Sequence, residues 1–154
     1  MTELVDEIFE KIEALSVAGD NLSDEGAYES ALLKYREAFD LLPDPKTEWE
    51  AGTWLLAAIG DVHFLQGDFA NGRDCLSNAM HFPDAIGNPF LHLRLGQCQF
   101  ELGNLDRAAD ELIRAYMGDG GELFAEEDPK YLEFLATRAQ GIERPNKKPF
   151  WKIW

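Results

Sequence analysis

Cysteine is scarce in this chain: only Cys75 and Cys98 occur. They have no paired spacing, which excludes a disulfide framework and a cysteine-based zinc site. Both lie in stretches of helical periodicity and read as small buried apolar residues in a reducing compartment. Histidine is equally sparse. His63, His81 and His92 form no HExxH pair and have no neighbouring ligand at metal spacing; His63 and His92 are expected to be packing or groove residues. The phosphate-cradling patterns GxxxxGK(S/T) and GxGxxG are missing, and no serine stands in a nucleophile motif. Residues 118–122 lack the alternating Asp/Asn ligands of a calcium loop. No catalytic residue, metal, cofactor or small-molecule substrate is therefore expected.

Basic residues and long apolar runs are also in short supply. Against 29 acidic residues stand 14 basic ones, a net charge of −15. A surface of that sign repels nucleic acid and anionic lipid and favours a basic partner, although it would also serve solubility alone. The acidic residues form no long block, so the charge is spread over a folded surface. No apolar run approaches membrane-spanning length. The opening MTELVDEIFEKI is acidic and amphipathic, unlike a secretory signal. A cytoplasmic protein without membrane contact is the expectation. With 154 residues, 45% of them hydrophobic, the chain suffices for one domain with a real core.

What the chain does contain is repetition. Gly96 and Gly103 are followed by Leu105, Ala108, Leu112 and Ala115. Gly60 and Gly67 are followed at the same offsets by Phe69, Gly72, Leu76 and Ala79. Gly19 and Gly26 precede Tyr28, Ala31, Tyr35 and Ala38 in the same way. The second glycine recurs after 41 residues and then after 36, close to the 34-residue helix-turn-helix unit. Small residues at matched places let antiparallel helices approach closely, while Tyr28, Phe69 and Leu105 fill the gap beside the turn. One such pair cannot bury its apolar face alone, so neighbouring pairs must stack.

Over roughly residues 12–117 the chain resembles a three-repeat tetratricopeptide repeat (TPR) protein. Each copy has that family's small residue in the first helix, its turn glycine and its small residue early in the second helix. Pro43 closes the first copy as the family's proline does; Pro83 comes one place early, and the third copy has none. Leu15, Leu56 and His92 stand where the family has a tryptophan. The fold expected is an all-α solenoid with repeats at about 12–45, 53–84 and 89–117.

Periodicity predicts helices at about 2–22, with Thr2 as N-cap, then 27–42, 46–65, 69–82, 89–102 and 106–117. Residues 118–121 read as a flexible glycine linker. A last helix opened by Asp128 or Pro129, at about 129–141, is expected to cap the solenoid. Residues 1–143 then form the TPR domain, and 144–154 form a basic aromatic tail, RPNKKPFWKIW, with four basic residues and no acidic one. Phe150, Trp151 and Trp154 are costly to leave in water, so the tail is expected to contact the acidic body or a partner.

The resemblance implies a protein-binding groove lined by first helices. Its candidate residues are Glu13 and Asp20 in the first copy, Trp54, Asp61 and Phe64 in the second, and Phe90, Arg94, Gln97 and Phe100 in the third. Cochaperones of the family that bind acidic heat-shock-protein termini use a lysine and asparagine clamp. Ser16, Asp20, Ala58 and Phe90 stand in those places here, and only Arg94 fits. Carboxylates among aromatics suit a basic or amphipathic segment of another protein instead. About half of the aromatics are expected in the core. The chain resembles small acidic bacterial TPR proteins of the immunity type, which implies that it sequesters a single protein partner by masking a basic toxin domain. Type III secretion-type chaperones, which hold an exported apolar segment, and general scaffolds are the alternatives.

Overall fold

The computed structural model describes residues 6–143. The expected N-cap at Thr2 and the tail with Phe150, Trp151 and Trp154 lie outside the described residues. Among the described residues seven α-helices follow one another: α1 Asp6–Asp24, α2 Tyr28–Asp40, α3 Glu50–Leu65, α4 Phe69–Ala79, α5 Pro89–Glu101, α6 Leu105–Asp119 and α7 Pro129–Arg138. Two 3-10 turns, Lys46–Glu48 and Gly121–Phe124, stand between α2 and α3 and between α6 and α7. None of the described helices is long and apolar enough to cross a membrane.

The three helix pairs close through the same backbone device. Gly26, Gly67 and Gly103 all have φ near +80° (79°, 78° and 81°), where a side chain would be strained. The residue after each glycine donates its N–H to a carbonyl five places back: Ala27 to Leu22 at 2.8 Å, Asp68 to His63 at 2.8 Å and Asn104 to Gln99 at 2.9 Å. This is the Schellman pattern, which satisfies the last carbonyls of each first helix. Gly19, Gly60 and Gly96 have a different task. A Cβ on Gly60 would lie 2.5 Å from Leu76 Cγ, and one on Gly96 would lie 2.8 Å from Leu112 Cγ. At these places the second helix rests on bare backbone.

The core passes from one pair to the next. Ile12, Leu32 and Tyr35 of the first pair bury against Leu55, Ile59 and Val62 of α3. Leu76 joins Leu91, Leu95 and Cys98 of α5. Leu93, Leu112 and Ala115 meet Phe124 and the α7 residues Tyr131, Leu132 and Leu135. Each pair thus depends on its neighbour to exclude water. Leu105 departs from the expected turn packing and stays 40% exposed.

Two local expectations are corrected. Residues 46–65 are not one helix: Trp49 is extended (φ −106°, ψ 124°) between the 3-10 turn and α3. Its indole Nε1 donates to the Pro43 carbonyl at 2.8 Å, and Lys46 Nζ donates to the Leu42 carbonyl at 2.6 Å. These side chains hold the connection against the end of α2. Nor are residues 118–121 a flexible linker. Gly118 and Asp119 belong to α6, a Cβ on Gly118 would lie 2.6 Å from Pro89 Cγ, and the turn that follows buries Phe124. Asp128 does cap α7, its carboxylate accepting from the Lys130 N–H at 3.0 Å.

Candidate partner-binding groove

The first helices α1, α3 and α5 stand side by side and leave a hollow of about 430 Å³ between them. Ser16 and Asp20 contribute from α1; Glu50, Thr53, Trp54, Ala57, Ala58 and Asp61 from α3; and Phe90 and Leu91 from α5. Pro83, Asp84 and Asn88 close the rim, and Tyr35 of α2 reaches in from behind. Positions 50, 54, 57 and 61 recur at helical spacing, so one face of α3 forms the floor.

The floor is apolar and the rim is acidic. Trp54 is 65% exposed although it sits within a concavity, and Phe90 is 37% exposed beside it. Four carboxylates surround them. Asp20 accepts the Tyr35 hydroxyl at 2.6 Å; burial, with this bond second, pushes that phenol above its usual range. Asp61 accepts from Arg94 Nε at 2.7 Å. Glu50 and Asp84 have no ion pair among the described residues. Asp84 adopts φ 58°, a left-handed conformation that aspartate tolerates better than most residues. Thr53 Oγ1 donates to the Pro83 carbonyl at 2.8 Å, tying the rim loop to α3.

The other half of the groove is filled by the chain itself. Arg94 donates to Asp61 and, through Nη1, to Gln97 Oε1 at 2.7 Å and to Glu127. Gln97 Nε2 also donates to Glu127 Oε1, at 2.7 Å. The guanidinium lies 4.6 Å from the Phe64 ring centre and 5.1 Å from that of Phe90. Burial works against its charge, but Asp61 and Glu127 outweigh that and hold Arg94 above its usual pKa. Tyr131 and Phe134 of α7 pack edge-on against Phe100 at 5.4 and 5.1 Å. Tyr131 also donates to Glu101 at 2.8 Å.

The predicted lining residues therefore separate. Asp20, Trp54, Asp61 and Phe90 are brought together around the hollow. Phe64, Arg94, Gln97 and Phe100 are covered by Glu127 and α7, because the cap lies across the third repeat as well as beyond it. Glu13 is outside the hollow, on the outer flank of α1 with Glu10, Ala14 and Val17; among the described residues no helix precedes α1 to wall off that side. Glu50 and Asp84 escaped the sequence reading. Glu50 was legible in principle, lying one turn before Trp54 on the same face. Asp84 sits in a loop, where periodicity gives no signal.

Two of the histidines, His63 and His92, are buried structural residues. Gly87 N–H donates to His92 Nε2 at 2.9 Å, so Nδ1 holds the proton that faces Glu111 Oε2 at 2.6 Å. His63 is 4% exposed, and burial, only partly opposed by Asp68, lowers its pKa. Cys98 is fully buried, which pushes its thiol up to about 12; Cys75 is partly buried and raised for the same reason.

No family model and no curated protein matches this chain. Solved structures do. The first TPR of Spaghetti (RPAP3), bound to the HSP90 peptide SRMEEVD, is 18% identical, with 83% of this chain and 90% of that one covered at a TM-score of 0.65. The TPR domain of Arabidopsis OM64 is 16% identical, with 88% and 99% covered at a TM-score of 0.67. The first TPR domain of human RPAP3 is 19% identical, with 83% and 94% covered at a TM-score of 0.65.

Proposed function

Because this chain has the tetratricopeptide-repeat fold, we propose that it is a non-enzymatic protein-binding module that holds a basic or amphipathic segment of one partner. We infer further that it sequesters that partner, as an immunity-type protein masks a basic toxin domain. One observation carries the reading: Trp54, 65% exposed, stands in a concavity edged by Asp20, Glu50, Asp61 and Asp84. An indole face attracts a lysine or arginine, neighbouring carboxylates pair with it, and the aliphatic stem covers the apolar floor. An acidic peptide such as the one bound by RPAP3 fits poorly. Arg94, the cation suited to it, is already held by Asp61 and Glu127.

A chaperone for an exported apolar segment is the second reading, favoured by the floor of Leu55, Ala57, Ala58 and Leu91. Affinity capture from the host at low and moderate salt, with the chain and with Trp54→Ala, separates these readings. One strongly basic protein, lost in the variant and weakened by salt, is the expected result. An exported protein with apolar helices, captured regardless of salt, establishes the chaperone instead. Retention of every partner by Trp54→Ala removes the hollow from both.

A further inference from the structure

We propose that residues 144–154 of this chain are an internal ligand that occupies the Trp54 hollow and must be displaced by a partner, an inference that rests on reading the hollow as the binding surface. The segment RPNKKPFWKIW supplies Arg144, Lys147, Lys148 and Lys152 together with Phe150, Trp151, Ile153 and Trp154. The hollow presents the complement: Asp20, Glu50, Asp61 and Asp84 around Trp54 and Phe90. Charge and apolar surface therefore match in kind.

The described chain also ends at a suitable place. Ile142 packs on the cluster around α7, and Glu143 N–H donates to the Tyr116 hydroxyl at 2.9 Å. Tyr116 stands near the end of α6, beside Met117, which is 79% exposed. The next residue, Gly118, abuts Pro89, the first residue of α5 and the neighbour of Phe90 on the rim. Eleven residues reach at most about 40 Å when extended, and Pro145 and Pro149 favour extension in the residues before them.

Other seats are poorer. Among the described residues α7 turns its large apolar side chains inward, with Tyr131, Leu132 and Leu135 all buried. The exposed Phe9, Val17 and Leu33 lie on the first pair, at the opposite end of the stack. A tethered ligand acts at an effective concentration of about millimolar, enough to shield the hollow from weak partners while a tight one displaces it.

The test uses the full chain, its variant Lys147→Glu/Lys148→Glu/Lys152→Glu, and a synthetic peptide of residues 144–154 as probe. The indole N–H resonance of Trp54 is the reporter. Trp49, whose indole is already bonded to Pro43, is the control for an unchanged body. With an internal ligand, the Trp54 resonance of the variant differs from that of the parent, and the peptide binds the variant about tenfold more tightly. An unmoved Trp54 with equal peptide affinity for both chains overturns the internal ligand while the hollow stands. Peptide binding to neither chain removes the hollow as a site for such segments, and the proposal with it. A Trp54 shift that follows protein concentration, with a doubled mass, makes a second copy the occupant and overturns the intrachain form.

Discussion

Arg94 stands 11% exposed between two carboxylates and two aromatic rings, so its guanidinium has exchanged water for fixed partners. Removing one member of a buried ionic set leaves the others uncompensated. Arg94→Ala is therefore expected to lower stability by about 3 kcal/mol, read as a drop in urea midpoint. Arg94→Met, which keeps the contact with Phe64 but not the charge, should lose nearly as much if the ion pairs dominate. His63 gives a pH prediction. Burial lowers its folded pKa below 6.5, so the unfolded chain takes up the proton first. The stability tied to a neutral His63 is complete above 6.5 and is lost as the pH falls through and below it. In His63→Gln that loss is absent, and its midpoint should gain on the parent's in this acid range.

At the scale of the helix pair, glycines of two kinds support the repeat, and substitution tells them apart. In Gly60→Ala the new methyl meets Leu76 at 2.5 Å, so either the ring of contacts around Leu76 or the helix spacing must give. About 2 kcal/mol of destabilisation is expected from such overpacking. Gly67→Ala meets no atom within 4 Å, but the residue sits at φ 78°, which costs a side chain about 1 kcal/mol. The larger loss at Gly60, measured by urea unfolding of both variants, is the expected order. Equal losses would mean that the two helices part readily enough to admit the methyl. Gly118 belongs to the first kind, since it touches Pro89.

For the whole molecule, the proposed capture of a basic partner makes net charge and hollow act on different steps of binding. A net charge of −15 steers a basic partner over distances near the Debye length, so the association rate should fall steeply with salt while dissociation changes little. In that reading Trp54 acts only after contact. Trp54→Ala should accelerate dissociation and leave the association rate and its salt dependence intact. Because the indole is 65% exposed, the same variant should unfold within about 0.5 kcal/mol of the parent. Association and dissociation rates with the captured partner, measured across a salt series, check both expectations.

Sequence alone determined the repeat. The matched glycines, alanines and large apolar residues follow local rules of helix period, turn conformation and close approach, and such rules are written in neighbouring residues. The resemblance to tetratricopeptide repeats supplied candidate groove positions, of which Asp20, Trp54, Asp61 and Phe90 line the hollow. What only the tertiary structure decided was which of the candidates stay open. Phe64 and Phe100 look no different in sequence from Trp54 and Phe90, yet α7 covers the first two and spares the others. Arg94 reads as a free cation until Glu127, 33 residues away, folds back to take it. Asp84 enters the rim through a loop whose path no periodicity records. Each of these outcomes depends on contacts between distant segments, where burial and charge pairing are settled by the packing of the stack and its cap.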